Sequence, residues 1–327
     1  MKQYIVEKCD EGQTLIKYLQ RKLTDAPVSF FYKMMRKKNI VFNGNKKVTG
    51  KETVKCGDEV KLFVSDETIF LFTDTNSIDL SQYQNAYSKW GKPSLIYEDE
   101  NLLLINKPVG ILSQKASESD LSINEWIIGY LLYEKKLTED SLKSYMPSVC
   151  NRLDRNTGGI MIFAKTLYGA NFINPIIKNH RVHKFYYTVV SGHFSEPVSD
   201  ISYISKDSDL NKVTVRKEFA YGYSRIETNF KPLKYNSDSD ITLLEVELLT
   251  GKTHQIRSTL EFLGYPVIGD CKYGSKYTGE VLKKFNHIGQ ILYSYKLVFD
   301  SFDDYPSLSK KTFEIKMPDI IKELMGD

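Results

Sequence analysis

From residue 102 onward the chain is a succession of short apolar or alternating runs: Leu102 to Ile105, Ile160 to Ala164, Phe185 to Val190, Lys212 to Val215, Leu243 to Leu249 and Ile291 to Phe299. Each has the length of a strand, and turn residues separate them. Helical spacing appears near Ile123 to Tyr133 and Thr253 to Leu263, so a strand-dominated mixed fold fits better than regular strand–helix alternation. With 327 residues, 41% hydrophobic and 26% charged, the chain has enough apolar content for about two domains, and wholesale disorder is excluded. No run approaches the roughly 20 residues of a membrane span, and Glu245 and Glu247 interrupt one of the longest. Glu7, Lys8 and Asp10 follow directly on the short apolar Tyr4 to Val6, which leaves no secretion-signal core, so a cytoplasmic protein is expected. Cys9, Cys56, Cys150 and Cys271 are dispersed without a C-x-x-C pair, which argues for reduced thiols rather than a disulfide framework or a zinc knuckle.

Charge is unevenly distributed. The first 65 residues hold 14 Lys or Arg against 7 Asp or Glu, whereas the whole chain has a net charge of only +4. A small module that meets a polyanion, joined to a larger body, would produce this asymmetry, as would a merely soluble basic domain. Leu15, Ile16, Leu19 and Leu23 recur at helical spacing within Gln13 to Leu23, with Lys17, Arg21 and Lys22 on the wet side. A second helix is predicted after Pro27 with Ser29 as its N-cap. Phe31, Met34 and Met35 form its inner face, and Lys33, Arg36 and Lys37 share the other. Ile40-Val41-Phe42, an Asn43-Gly44 turn, Lys46 and Lys47, and the alternating Val60 to Val64 then predict strands. The expected order is helix, helix, strands.

That order, with IVFNG after the basic helix and CGDEVKLFV closing the segment, resembles the alpha-L RNA-binding motif over residues 1–65. The resemblance implies that Lys33, Arg36, Lys37, Lys46 and Lys47 lie against an RNA backbone. Phosphate contacts of this kind add affinity and salt sensitivity more than sequence specificity. Residues 66–92 lack periodicity and are expected to form a connector, leaving residues 93–327 as the larger domain.

Several chemistries are excluded for that domain. No dinucleotide-binding loop is present. Gly251-Lys252-Thr253 resembles the end of a phosphate loop, but the glycine required five residues earlier is Val246. His180 and His183 have no carboxylate or cysteine at metal-ligand spacing, so no metal is assigned. What remains is Asn151-Arg152-Leu153-Asp154-Arg155-Asn156-Thr157-Gly158-Gly159, followed by an apolar strand. Two arginines flank a carboxylate at the mouth of a buried strand, an arrangement that favours its ionised form and suits a nucleophile or base. Charge pattern alone favours a structural ion pair at a strand end.

The run NRLDRNTGGIMIFAK resembles the HRLDRDTSGLLLFAK signature of the RluA-type pseudouridine synthases. LLLINKPVGILS, KFYYTVVSG and LLTGKTHQIRSTLEFLGYPVIGDCKYG agree in the same order, over about residues 93–300. The resemblance implies an α+β class with a mixed, largely antiparallel sheet in the pseudouridine synthase fold, and isomerisation of uridine in structured RNA without cofactor or metal. It implies Asp154 as catalytic aspartate, Tyr186 as the tyrosine against the target base, and Arg257 as the partner of the carboxylate. Arg152, Arg155 and Lys107 are expected on the substrate side, with Lys107 and Gly110 helping to shape the pocket. Asn151, Asn156, Gly158, Lys252 and Tyr293 depart from the usual residues, which bears on subfamily and target more than on reaction. A monomer acting on large-subunit ribosomal RNA is expected. The alternatives are a synthase for transfer RNA and a noncatalytic RNA-binding or ribosome-assembly factor.

Overall fold

The computed structural model describes residues 1–72, 78–207, 212–274 and 289–326. Of the expected connector, residues 73–77 lie outside the described residues, among them Asp74, Thr75, Asn76 and Ser77, as does the side chain of Cys9. Cys56, Cys150 and Cys271 are free thiols. The first half of the chain contains β1 (Lys2–Ile5), α1 (Leu15–Lys22), α2 (Val28–Arg36), β2 (Ile40–Phe42), β3 (Glu59–Leu62), α3 (Asp66–Phe72), α4 (Ser81–Trp90), β4 (Leu95–Glu98), β5 (Leu102–Lys107), α5 (Ile123–Tyr133), α6 (Glu139–Ser144) and β6 (Ser148–Val149). The second contains β7 (Gly158–Ala164), α7 (Leu167–Lys178), β8 (Val182–Ser191), β9 (Val198–Asp207), β10 (Lys212–Arg216), β11 (Ser224–Asn236), β12 (Ile241–Leu248), α8 (Gln255–Phe262), β13 (Leu292–Phe299), β14 (Thr312–Glu314) and α9 (Asp319–Met325). Among the described residues, no helix is long and apolar enough to cross a membrane.

Two compact units emerge. The first comprises Met1–Leu104, Ser117–Cys150 and Ile162–Pro175. Its N-terminal part is a three-stranded antiparallel sheet of order β1-β3-β2, so a strand precedes the two helices that the apolar spacing predicts. Tyr4 and Ile5 pair with Val60 and Glu59, a long-range contact that local periodicity does not announce. Leu15, Tyr18 and Leu19 of α1 and Phe31, Met34 and Met35 of α2 enter one core with Ile40, Val60 and Leu62. Each such side chain contributes roughly 1.5–3 kcal/mol when fully buried. Ser29 does not cap α2. The helix begins at Val28 after Pro27, whose φ of −66° and ψ of 147° set the entry, and it has no side-chain cap. Asn43 (φ 47°) and Gly44 (φ 77°) form the tight turn, closed by hydrogen bonds between Phe42 and Asn45.

Residues 66–92 contain two helices. The second, α4, packs so closely on α5 that a Cβ on Gly129 would lie 2.2 Å from the Tyr83 carbonyl oxygen. Trp126 Nε1 donates to the Gly91 carbonyl at 2.7 Å. A capping box between Ser122 and Glu125 starts α5 at Ile123.

The second unit comprises Ile105–Ala116, Asn151–Met161 and Ile176–Asp327. Its strands run in the order β10-β9-β11-β12-β8-β13-β7. Pairings are antiparallel up to β13, which runs parallel to β7. The architecture is α+β with a mixed, mostly antiparallel sheet. On one side α9 supplies Ile321, Leu324 and Met325 to a core with Val189, Leu243, Ile268 and Ile291.

Tyr293 and Ser294 of β13 lie opposite Gly158 and Gly159 of β7. A Cβ on Gly158 would fall 2.7 Å from the Tyr293 ring, and one on Gly159 would fall 2.1 Å from the Ser294 carbonyl oxygen at a φ of 110°. The double glycine is therefore a condition of this pairing. Gly159→Ala is expected to cost roughly 3 kcal/mol or more, adding a backbone clash to a disfavoured φ. Thermal denaturation measures this, and a wild-type Tm would contradict the close approach.

Candidate active site

The loop before β7 is held from one side by the segment 105–116. Ser113 Oγ donates to the Leu153 carbonyl at 2.6 Å and accepts from the Leu153 N–H at 3.0 Å. The Gly110 N–H donates to the Arg155 carbonyl at 2.8 Å, and the Thr157 N–H closes onto the Asp154 carbonyl at 3.0 Å. Lys107, fully buried, donates from Nζ to the carbonyls of Pro108, Arg155 and Thr157 at 2.9–3.0 Å. Burial pushes its ammonium down to about 7, against the opposing pull of the Asp154 charge. Lys107 thus braces the loop from behind. Its expected place on the substrate side is corrected by these three carbonyls, which occupy all three of its protons.

With both ends of the loop fixed, the Asp154 carboxylate stands partly open, its side chain 26% exposed. Arg257, near the start of α8, reaches it from Nη1 at 2.6 Å. The other edge of the same guanidinium forks onto Asp270, with Nε to Oδ2 at 2.5 Å and Nη2 to Oδ1 at 2.9 Å. Asp270 is completely buried. Burial alone would raise its carboxyl, but Arg257 and the N–H groups of Lys272 and Tyr273 outweigh that and hold it below the usual carboxylate range. One planar cation bonded along one edge has a fixed direction for its remaining nitrogen, and that nitrogen meets Asp154.

His254 caps α8 in a left-handed conformation (φ 55°). Its Nδ1 is 2.8 Å from the Tyr273 hydroxyl, which accepts from the Val213 N–H, and its Nε2 is 4.0 Å from Asp154. Burial, ahead of the Arg257 and Lys272 charges, lowers the His254 pKa despite the opposing Asp154.

Asp154, Arg257, His254, Tyr186, Arg152 and Lys252 share one groove. Tyr186 is buried on β8, opposite Val246 and Ser294, and burial raises its hydroxyl to about 12. Its ring therefore presents a neutral, apolar wall. Arg152 is exposed at the rim, whereas Arg155, also exposed, is not among the lining residues. Lys33, Arg36, Lys37, Lys46 and Lys47 are exposed and belong to the first unit. The structure thus brings together Asp154, Tyr186 and Arg257, which lie far apart in sequence. It adds Asp270 and His254, which sequence reasoning did not single out although both fall inside the LLTGKTHQIRSTLEFLGYPVIGDCKYG segment. Among the described residues, no group of three or more His, Cys, Asp and Glu could hold a metal. His183 instead lies 3.2 Å from Asp300.

A model of the RNA pseudouridylate synthase family matches residues 101–262. An uncharacterized RNA pseudouridine synthase of Mycoplasma genitalium is 29% identical over 301 residues, 92% of this chain and 90% of that protein. The ribosomal large subunit pseudouridine synthase D of Borreliella burgdorferi is 30% identical over 276 residues, 80% of this chain and 77% of that one. The solved structure titled human RNA pseudouridylate synthase domain containing 4 shares the fold, with a TM-score of 0.55 at 20% identity over 73% of this chain and 94% of that one. The chain belongs to the RNA pseudouridylate synthase family. It is an enzyme that isomerises uridine to pseudouridine in RNA.

Proposed function

We propose that the substrate is large-subunit ribosomal RNA and that Asp154 performs the chemistry. The observation that supports this most directly is the Arg257 fork, which fixes a carboxylate's cationic partner within a groove walled by Tyr186. The target uridine leaves its stack, a step costing a few kcal/mol, and packs against Tyr186. Asp154 drives cleavage of the base–sugar bond, either by attacking the sugar or by removing a sugar proton. The freed uracil turns and rejoins through carbon five, so nothing is consumed and no cofactor is required. Arg257 aims Asp154, Lys107 and Gly110 brace the loop, and Arg152 meets phosphate at the rim. Relatives titled ribosomal large subunit pseudouridine synthases C and D support the choice of RNA. The reading puts the enzyme in the cytoplasm. It also takes the enzyme to be a monomer.

On this reading residues 1–65 form an alpha-L-type module that grips the backbone through Lys33, Arg36, Lys37, Lys46 and Lys47. Replacing Lys33, Arg36 and Lys37 together by alanine is expected to weaken ribosomal RNA binding and to lower the salt slope by about two to three. An unchanged slope would remove this face from the interface. Mapping pseudouridines in cellular RNA with and without the gene tests the substrate. Sites lost from large-subunit ribosomal RNA support the proposal, and sites lost only from transfer RNA refute it.

A further inference from the structure

The second unit bears an aromatic surface that neither its core nor the groove uses. Strand β10 alternates strictly, with Val213 and Val215 inward and Lys212, Thr214 and Arg216 outward. The inward pair packs with Ile204, Ile226 and Tyr273. Tyr273 joins this hairpin to the groove, since its hydroxyl meets His254 on one side and the Val213 N–H on the other. Lys212 Nζ lies over the same ring, 5.6 Å from its centroid. Strand β10 is thus tied to the groove through Tyr273.

Beyond Arg216 the chain reads Lys217-Glu218-Phe219-Ala220-Tyr221-Gly222-Tyr223. Phe219 is 70% exposed and Tyr221 98% exposed. Burial of these rings against a partner would be favourable, and their exposure leaves that affinity unused. Phe219 rests edge-on against Tyr203 at 5.7 Å, which fixes its ring and leaves its other side open. The Arg216 guanidinium stacks 5.5 Å from the Tyr223 centroid. Gly222 turns the chain at a φ of 84°. Among the neighbouring charges, Lys217 is paired with Asp200 and Arg225 with Glu227, and Glu218 is the exposed acid. Lys212 and Arg216 are the cations at the outward positions of β10.

We propose that Phe219 and Tyr221 are a stacking platform for unpaired nucleotides flanking the target uridine, with Arg216 on an adjoining phosphate. This rests on the reading of the protein as one that acts on RNA. Exposed aromatic faces beside a cation suit a single strand, because every base has a π-face and every linkage a charge. The platform binds without reading sequence, and it orders the strand outside the groove before or while the uridine is extruded.

The test uses the full-length chain and a twelve-nucleotide single-stranded RNA that lacks uridine and carries one central 2-aminopurine, so no isomerisation occurs. Binding is expected to quench the fluorophore. A Phe219→Leu/Tyr221→Leu double variant keeps apolar area but removes the π-faces, and is expected to bind about tenfold or more weakly with an unchanged salt slope. Arg216→Ala is expected to lower the slope by about one. Wild-type affinity and quenching in the double variant would overturn the platform and leave a protein-docking patch. Failure of the wild type to bind the oligonucleotide would overturn it too. The probe holds neither uridine nor ribosomal sequence, so a failed assignment of Asp154 or of ribosomal RNA leaves this measurement standing.

Discussion

Asp154→Ala is expected to abolish pseudouridine formation, a fall on the order of 10⁴-fold or more, while RNA binding and folding stay close to wild type. Both halves follow from the arrangement around Arg257. Removing the Asp154 carboxylate deletes the only acidic side chain lining the groove among the described residues. The guanidinium left behind keeps its two hydrogen bonds to Asp270, so no buried charge is stranded and the stability cost is that of one partly exposed pair, about 1 kcal/mol. Asp154→Asn sharpens the test, because it preserves shape and a hydrogen-bonding group while removing both charge and nucleophilicity. Release of tritium from carbon five of labelled uracil in ribosomal RNA reads the chemistry, and filter binding reads affinity. Continued release by either variant would take Asp154 out of its role. Loss of both release and binding would recast it as a residue that only shapes the RNA surface.

The groove was legible in sequence to the extent that its chemistry lies in contiguous runs. Asp154 sits between arginines before two glycines, and the structure explains those glycines through the close passage of Tyr293 and Ser294. Amphipathic spacing located α1 and the inner face of α2, and the run from Ile123 to Tyr133 matches α5. Residues whose importance comes from tertiary pairing were not legible from periodicity. Asp270 is one acid in a turn until Arg257, thirteen residues earlier, folds onto it. His254 looks like a loop residue until its left-handed backbone directs it between Tyr273 and Asp154. Lys107 reads in sequence as a pocket residue on the substrate side, yet it is buried among carbonyls because the loop it braces returns fifty residues later. Strand β1 was missed for the same reason, since its partner β3 is more than fifty residues away.

Arg257→Ala is expected to remove activity and also to destabilise the fold by about 3–5 kcal/mol, the usual result of stranding one member of a buried ion pair. The stranded group is Asp270, with no exposed surface, whereas Asp154 can turn toward solvent. Arg257→Lys should recover part of the stability and little of the activity, because one ammonium cannot fork onto Asp270 and still reach Asp154. The pH dependence identifies the cause. In the wild type the Asp270 carboxyl is held below its ordinary range. It therefore contributes stability that is complete above about pH 4 and lost as pH falls through the lower folded value. In Arg257→Ala, burial is opposed only by the N–H groups of Lys272 and Tyr273, and the carboxyl moves upward. The folded state then holds its proton longer than the unfolded chain, and stability drains away as pH rises. The stability difference between variant and wild type should accordingly be larger near about pH 7 than near about pH 4. Urea titrations at the two pH values measure it. A difference that did not grow with pH would mean that Asp270 finds another partner once Arg257 is gone, and that the aim of the guanidinium at Asp154 does not depend on the buried carboxylate behind it.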